Sequence, residues 1–201
     1  KLENKIEKEG QINDVLKQGE NILVQISKEA ISSKGPRITT EVSLAGRYMV
    51  LIPFSDRVSI SQKIGDQKEK ARLKKLIKSI KPAGFGVIVR TVATGKKVAD
   101  LDKDLKNLYK KWQKISKKLK QAKPKEKILG ELNRSATILR DLLSEKFNNI
   151  YVNNMETYEE MKDYLASISP NQEKIVRYHK KENPIFQEYN VTKQIKSSFG
   201  K

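Results

Sequence analysis

An arginine and a threonine stand side by side where a glycine-punctuated apolar run meets a basic loop. The segment is Gly84 to Lys97, GFGVIVRTVATGKK, and the pair is Arg90 and Thr91. An arginine guanidinium offers a planar fork of N–H donors that suits phosphate oxygens, and a threonine adds a hydroxyl and a backbone N–H. The sequence therefore predicts a phosphate-binding site at the end of this run.

The pair Gly95-Lys96 in the same segment resembles the end of a nucleotide-binding P-loop, but its spacing does not fit that motif. A P-loop needs a glycine five positions before the second glycine, where this chain has Arg90. It also needs Ser or Thr after the lysine, where this chain has Lys97. Hydrolysis of ATP or GTP at this loop is therefore not expected.

Side chains suited to catalysis or metal binding are scarce in the sequence. The chain has no cysteine and one histidine, His179, so thiolate metal sites and paired-histidine acid–base chemistry are excluded. Glu131 and Asp141 are the carboxylates to weigh as a metal pair, but they fall on different predicted elements without ligand spacing. We expect neither a catalytic residue nor a metal site in this chain.

The charge of the chain favours a nucleic-acid partner. The formal net charge is +18, from 42 Lys and Arg against 24 Asp and Glu. The segment from Ser61 to Lys127 holds 22 basic and 6 acidic residues, a surplus of 16. Such clustering attracts a phosphate backbone in a salt-dependent way, whereas a dispersed lysine surface is merely solvated. No apolar run approaches the ~20 residues that span a bilayer, so membrane insertion is not expected.

Strands and helices of a mixed α/β (α+β) fold are predicted to position these residues. Apolar alternation or continuous apolar runs predict strands at residues 21–26, 37–42, 47–52, 58–64 and 85–89. The run at 47–52 is so continuous that it predicts a strand buried on both faces. Apolar residues on one face predict a helix from about 68 to 80, and Pro82 follows it.

The clearest periodicity in the chain predicts a long basic helix from about 98 to 122. Its apolar residues recur every three or four positions and form one stripe: Val98, Leu101, Leu105, Leu108, Trp112, Ile115 and Leu119. Lysines follow the opposite side: Lys103, Lys106, Lys110, Lys114 and Lys117. We expect the stripe to pack on the adjacent sheet, with Trp112 as a core anchor rather than a base-stacking platform. A coiled coil is the alternative use of this spacing.

Shorter elements are predicted after residue 127. The pattern indicates strands at 128–132, 149–152 and 175–179, and helices through 138–143, 155–168 and 191–199. Asn153 or Asn154 can cap the helix at 155–168. His179 is expected at a strand end or on the surface.

The sequence resembles the bacterial ribonuclease E/G family of endoribonucleases in the order SLAGRYMVLIPF, from Ser43, and then VRT. The likeness extends through GPRITTEVSLAGRYMVLIPF, VSISQKI, FGVIVRTVATGK, ILRDLL and NPIF, and so covers most of the chain. In that family the arginine and threonine of VRT hold the 5′-terminal monophosphate of RNA, which implies this role for Arg90 and Thr91. The glycine of AGR and the valine of VLIP help to receive the terminal nucleotide, which implies this role for Gly46 and Val50.

The resemblance also implies three segments. Residues 1–40 would be a leading linker followed by the end of a partial OB-fold RNA-binding barrel. The first strands of this barrel would lie upstream of residue 1. Residues 41–133 would form a mixed-sheet 5′-sensor domain, and 134–201 an RNase H-like structural portion. Family members often carry two arginines where this chain has Gln62-Lys63. The basic residues expected as further RNA contacts are Lys34, Arg37, Arg47, Lys63 and Lys96.

The function that the resemblance implies is RNA binding within a single-strand-specific endoribonuclease of RNA processing and mRNA decay in the bacterial cytoplasm. The family's catalytic Mg²⁺ is held by aspartates of a later domain. We therefore expect this chain to be a fragment that recognises a 5′-monophosphate, holds no cofactor and does not cleave RNA. The alternatives are a non-enzymatic RNA- or ribosome-binding protein and a coiled-coil adaptor. We also expect that the parent protein can be a homo-oligomer.

Overall fold

The chain divides into two units at Gly130, in a computed structural model that describes residues 10–130, 134–144 and 146–200. Strands and helices occur together in both units, which confirms the predicted mixed α/β class. The three segments with boundaries at 40 and 133 remain a prediction. Among the described residues no helix combines the length and the apolar character needed to cross a bilayer.

A short antiparallel ribbon precedes the main sheet of the first unit. One helical turn, α1 (Ile12–Val15), leads to β1 (Gln25–Lys28) and β2 (Arg37–Thr39). The Gln25 side chain ties the ribbon to the next segment, because its amide donates to the Ser43 carbonyl (3.1 Å) and accepts from the Ser43 N–H (2.8 Å). The described residues of this region form no closed barrel, so an OB-like barrel remains a prediction.

A mixed four-stranded sheet forms the centre of the first unit. Its strands are β3 (Leu44–Ala45), β4 (Met49–Pro53), β5 (Val58–Ile60) and β6 (Phe85–Val89), in the order β3-β4-β6-β5. β5 and β6 are parallel, whereas the other two pairs are antiparallel. A parallel pair needs a crossover connection, and helix α2 (Gln67–Ile80) provides it. Asp66 begins this helix by accepting a hydrogen bond from the Lys68 N–H (2.8 Å).

One face of the sheet carries the core and the other is only half-covered. Met49 and Leu51 of β4 are fully buried, whereas Val50 and Ile52 between them are half-buried. The prediction of a strand buried on both faces is therefore wrong. The reason is that both long helices of this unit pack on the face that carries Met49 and Leu51.

The long basic helix, α3 (Val98–Leu119), packs on the sheet through its apolar stripe. The stripe is buried from Leu101 to Ile115, and Trp112 is only 7% exposed, which confirms it as a core anchor. Val98 is 51% exposed and corrects the predicted start of the stripe. The five lysines predicted on the opposite side are all exposed.

The second unit has a smaller core beneath a two-stranded parallel sheet. Its elements are α4 (Arg134–Leu142), β7 (Ile150–Val152), α5 (Met155–Ile168), a 3-10 helix (Pro170–Ile175), β8 (Val176–Tyr178), α6 (Ile185–Glu188) and α7 (Val191–Phe199). Asn154 caps α5 by accepting from the Thr157 N–H (2.8 Å), as predicted. The strand predicted at 128–132 is wrong for residues 128–130, which are irregular. Residues 131 and 132 lie outside the described part.

Asp141 and His179, two residues considered in the sequence analysis, have hydrogen-bond partners in the second unit. The Arg140 side chain binds both carboxylate oxygens of Asp141, at 3.0 and 3.3 Å. Glu131, the other carboxylate considered for a metal pair, lies outside the described residues. His179 follows β8, as expected, and is buried, with Nε2 2.9 Å from the Asn183 carbonyl oxygen.

Truncation of the α3 stripe should show that this stripe carries the stability of the first unit. Leu101→Ala should lower the free energy of unfolding by about 2–5 kcal/mol, because the Leu101 side chain is fully buried. Val98→Ala is the matched control, since Val98 is half-exposed on the same helix, and it should cost less than about 1 kcal/mol. Urea unfolding followed by the fluorescence of Trp112, the single tryptophan, measures both. Equal losses would contradict the assignment.

Candidate nucleic-acid interface

The predicted phosphate-binding residues lie at one edge of the main sheet. β3 ends just before Gly46, and β6 ends just before Arg90. Because both strands are antiparallel to β4, they run in the same direction, and Gly46 and Arg90 lie at the same edge of the sheet. Because β5 runs parallel to β6, the loop that follows β5 emerges at the same edge. The Ser61 N–H donates to the Val89 carbonyl (2.9 Å), which brings the Gln62-Lys63 segment to this edge as well.

A carboxylate of α3 holds the turn between β3 and β4. Asp104 accepts hydrogen bonds from the backbone N–H groups of Arg47 (3.2 Å), Tyr48 (2.8 Å) and Met49 (3.3 Å). The Gly46 N–H closes the turn on the Met49 carbonyl (2.8 Å). Burial raises the pKa of Asp104 above its ordinary value, although the three N–H groups act in the opposite direction. The turn is therefore fixed to the helix through its main chain.

Gly46 makes this close approach possible. A Cβ at this position would lie 2.7 and 2.8 Å from the carboxylate oxygens of Asp104 and 2.9 Å from the Leu108 Cδ1. Any side chain would force the turn away from α3. A packing role for Gly46 is thus evident from the structure, and its predicted contact with a terminal nucleotide remains a prediction.

Arg90 is bound to the same turn through its main chain and its side chain. Its N–H donates to the Tyr48 carbonyl (2.8 Å), and its Nη1 donates to the Gly46 carbonyl (3.0 Å). Arg90 as a whole residue is half-buried. The main-chain hydrogen bond fixes the backbone of Arg90, and the Nη1 hydrogen bond orients the guanidinium before any ligand binds. Such preorganisation favours precise recognition of an anion.

An apolar surface leads to Arg90 on the half-covered face of the sheet. Val50 of β4 pairs with Ile88 of β6 in the antiparallel register, and Ile88 is 40% exposed. Successive strand residues alternate between faces, so Arg90 follows Ile88 on the same side. The structure thus brings Val50 and Arg90 to one surface.

Thr91 begins a 3-10 helix, Thr91–Ala93, whose position is fixed by its last residue. Ala93 is fully buried and anchors the turn in the core, while Thr91 is exposed. In the part of the chain that the structure describes, the Thr91 hydroxyl has no hydrogen-bond partner. It is therefore available beside Arg90.

A glutamate of α2, which the sequence analysis missed, holds the loop that follows Thr91. Glu69 Oε1 accepts from the Gly95 N–H (2.9 Å) and from Arg72 Nη2 (2.8 Å), and Oε2 accepts from Arg72 Nε (2.6 Å). The Arg72 hydrogen bond and then the Gly95 N–H lower the pKa of Glu69 to about 2. The i, i+3 spacing of Glu69 and Arg72 is a visible signal in the sequence, but it does not reveal Gly95 as a partner.

The other basic residues predicted to contact RNA occupy different surroundings. Lys34 and Arg37 are exposed on the ribbon, outside the main sheet. Arg47 is only 8% exposed, and its guanidinium lies over the Tyr48 ring, 5.4 Å from the centroid. Lys63 is exposed at the same edge as Arg90, and Lys96 is half-buried in the loop that Glu69 holds. Their contacts with RNA remain predictions.

Carboxylates suited to metal chemistry are not assembled in the described ranges. Within residues 10–130, 134–144 and 146–200, no group of three or more His, Cys, Asp or Glu side chains could hold a metal ion. What the sheet edge offers instead is an oriented guanidinium, an exposed hydroxyl and an adjoining apolar surface. This arrangement can bind an anion.

Comparison with known proteins shows one consistent likeness. Residues 43–201 match the model of the family described as "Ribonuclease E/G family". Ribonuclease G of Salmonella typhimurium is 31% identical over 184 residues, which are 92% of this chain and 38% of the relative's length. Ribonuclease E of Nostoc is 31% identical over 93% of this chain and 28% of its own length. A chloroplastic "Ribonuclease E/G-like protein" of Arabidopsis thaliana is 31% identical over 92% of this chain and 20% of its own length. The chain therefore spans well under half of these relatives.

Protonation of Glu69 should release the loop beyond Thr91. Because the pKa of Glu69 is lowered from 4.5 to about 2, its stabilising contribution is complete above pH 4.5 and disappears as the pH falls towards 2. Glu69→Gln should lower the free energy of unfolding by about 1 kcal/mol at neutral pH, allowing for the solvent exposure of Arg72. The difference from the unsubstituted chain should vanish near pH 2.

Urea unfolding at a series of pH values, followed by Trp112 fluorescence, measures this difference. Glu29→Gln is the control, since Glu29 is an exposed loop glutamate, and it should leave the unfolding free energy unchanged at each pH. A Glu69→Gln deficit that stays constant down to pH 2 would show that the carboxylate charge does not hold the loop.

Proposed function

Because this chain belongs to the ribonuclease E/G family, we propose that it is the RNA-binding, 5′-monophosphate-sensing region of a single-strand-specific endoribonuclease. The observation that carries the proposal is the attachment of Arg90 to the Gly46 carbonyl at the sheet edge, beside Thr91. The endoribonuclease would act in RNA processing and mRNA decay. Residues 1–40, 41–133 and 134–201 would correspond to the end of an OB-fold barrel, the 5′-sensor and an RNase H-like portion.

A terminal phosphate would bind where the Arg90 guanidinium and the Thr91 hydroxyl meet. The tether to Gly46 directs the planar donor fork, so little conformational entropy is lost when the phosphate binds. The first nucleotide would lie on the apolar surface at Val50, bordered by the Gly46 turn. Lys63 emerges from the neighbouring strand at this edge and would add a mobile positive charge where family members often carry arginine.

Preference for a monophosphate follows from the size and charge of such a site. A 5′-hydroxyl end would leave the guanidinium without its anionic partner. A 5′-triphosphate would place additional charges where one arginine and one hydroxyl cannot pair them. The site would therefore direct the enzyme to transcripts that have already been processed.

Four exposed lysines of α3 would act through long-range attraction rather than through fixed contacts: Lys103, Lys106, Lys110 and Lys114. They lie opposite the buried stripe, so the helix can present them to solvent while it packs on the sheet. A dense positive surface raises the local concentration of RNA without reading its end. Lys34 and Arg37 on the ribbon would extend this surface.

The cleavage chemistry would belong to another part of the enzyme. Mg²⁺ is expected for the full-length protein, but the described carboxylates do not form a set that fits the ion. No cleavage step is assigned to residues of this chain.

Removal of the Arg90 side chain tests the end-sensing site. Arg90→Ala should reduce the preference for a 5′-monophosphate over a 5′-hydroxyl about tenfold, because a charge-assisted hydrogen bond to phosphate is lost. Arg90→Lys keeps the charge but not the donor fork, and should lose part of the preference. The measurement is fluorescence anisotropy with 3′-labelled single-stranded RNA that carries a 5′-monophosphate, 5′-hydroxyl or 5′-triphosphate, at two salt concentrations.

Arg57→Ala is the matched control, because Arg57 is exposed in the loop before β5, at the opposite edge of the sheet. It removes the same charge and should weaken all three RNAs equally. Equal weakening of all three RNAs by Arg90→Ala would reduce the site to a general basic surface and refute the proposal.

Substitution of the α3 lysines should change the salt dependence of binding and leave end preference intact. Lys110→Ala with Lys114→Ala should lower the slope of log affinity against log salt concentration by about 1.4, since each single-strand phosphate that a cation neutralises contributes about 0.7. Titration of the 5′-monophosphate and 5′-hydroxyl RNAs at several ionic strengths measures both quantities. An altered ratio between the two RNAs, or an unchanged slope, would contradict the assigned role.

A further inference from the structure

A cleft lined by aromatic rings and lysines lies at the edge of the main sheet opposite to Arg90. It has a volume of about 400 Å³ and lies between the start of β6 and the C-terminal half of α3. β6 runs from Phe85, which lines the cleft, to Val89, the residue before Arg90, a distance of about 13 Å at ~3.3 Å per residue. The cleft is therefore separate from the end-sensing site.

Half-buried aromatic rings form the wall of the cleft around a buried tryptophan. Phe54, Phe85 and Tyr109 are half-buried, and Trp112 lies deeper. The ring pairs meet edge to face: Phe54 and Trp112 at 5.5 Å, Phe85 and Tyr109 at 5.4 Å, and Phe85 and Trp112 at 6.4 Å between centroids. Each of these pairs covers a face of only one of its two rings, and Phe54, Phe85 and Tyr109 all remain partly exposed where they line the cleft. A flat ligand can stack there.

The backbone at the mouth of the cleft adopts an uncommon conformation. Phe54 has a φ of +60°, in the left-handed region that bulky residues rarely enter. Gly84, which immediately precedes β6, also has a positive φ of +74°, but a glycine adopts this conformation without strain. A strained non-glycine residue such as Phe54 is typical of binding sites, and Phe54 and Gly84 both line the cleft.

The polar groups of the cleft suit a base edge and a phosphate. Gln113 and Ser116 line it with an amide and a hydroxyl, and Lys117 and Lys120 line it with two ammonium groups. In the part of the chain that the structure describes, none of these four side chains has a hydrogen-bond or ion-pair partner. No acidic residue lines the cleft. The two positive charges of Lys117 and Lys120 therefore repel a cationic occupant and favour an anionic one.

We propose that this cleft binds an unpaired nucleotide within an RNA strand, with its base among Phe54, Phe85 and Tyr109 and its phosphate on Lys117 and Lys120. The inference rests on the proposed RNA-binding function and adds a second contact, distant from the 5′ end. Stacking on aromatic rings accepts any base, because every base has a π-face, and the lysines hold the backbone. The volume is within the range of small-molecule sites.

Trp112 reports occupancy of the cleft, since it is the single tryptophan and lies in the cleft. A short 5′-hydroxyl RNA should quench its fluorescence at the concentrations that raise the anisotropy of the same labelled RNA. An RNA of equal length with abasic sugars keeps the phosphates and loses the bases. It should bind at least about fivefold more weakly, because stacking is absent, and should not quench.

Two variants separate the cleft from the general charge of α3. Lys117→Ala with Lys120→Ala removes two charges inside the cleft, and Lys110→Ala with Lys114→Ala removes two from the same helix outside it. The first pair should weaken the 5′-hydroxyl RNA at least about threefold more than the second. Ser116→Leu fills the cleft with a helix-compatible side chain and should abolish quenching, while the 5′-monophosphate preference is retained.

The outcomes distinguish failure of the cleft from failure of the proposed function. RNA that binds with end preference but leaves Trp112 fluorescence unchanged overturns the cleft assignment alone. Equal effects of the two lysine pairs also overturn it. If a free mononucleotide quenches Trp112 at the same concentrations as the RNA strand, the occupant is a mononucleotide and not an RNA strand. If a proline-rich peptide quenches Trp112 and RNA does not, the occupant is a peptide and not a nucleotide. Absence of RNA binding in the anisotropy assay overturns both proposals.

Discussion

The hydrogen bonds between Asp104 and the β3–β4 turn determine the geometry of the whole sheet edge. One carboxylate of α3 receives three successive backbone N–H groups. Since these donors belong to the main chain, the turn cannot shift without leaving buried polar groups unpaired, which costs about 1–3 kcal/mol for each group. Gly46 permits the approach, and its carbonyl then receives Arg90. The position of the guanidinium is thus a consequence of how α3 packs.

Two further anchors connect the candidate site to the core and to α2. Ala93 is buried in the core at the end of the 3-10 helix that begins at Thr91. Glu69 accepts a hydrogen bond from the backbone N–H of Gly95, which lies in a loop outside any helix or strand. The residues proposed to touch RNA therefore project from a loop whose two ends are fixed. Preorganisation of this kind lowers the entropic cost of binding and favours discrimination between similar ends.

Helix α3 has a packing role on its apolar face and an electrostatic role on its lysine-bearing face. The buried stripe fixes it on the sheet, and the lysines on the opposite side give the unit much of its positive charge. Attraction by many mobile lysines depends on salt and is indifferent to the chemistry of the RNA end, whereas one oriented arginine can distinguish ends. The proposed cleft near Trp112 would add a third mode, in which stacking holds an internal nucleotide.

Local patterns in the sequence determined the helices at 67–80 and 98–119 and the pairing of an arginine with a threonine, because helical periodicity and side-chain chemistry are properties of neighbouring residues. Only the tertiary structure determined the hydrogen bonds between residues that are distant in the sequence. Asp104 binds amides 55 to 57 positions away, and Glu69 binds one 26 positions away. The half-covered face at Val50 also escaped the sequence, since a continuous apolar run does not say how many faces of a sheet the helices cover. Contacts between distant residues arise only when the chain is packed.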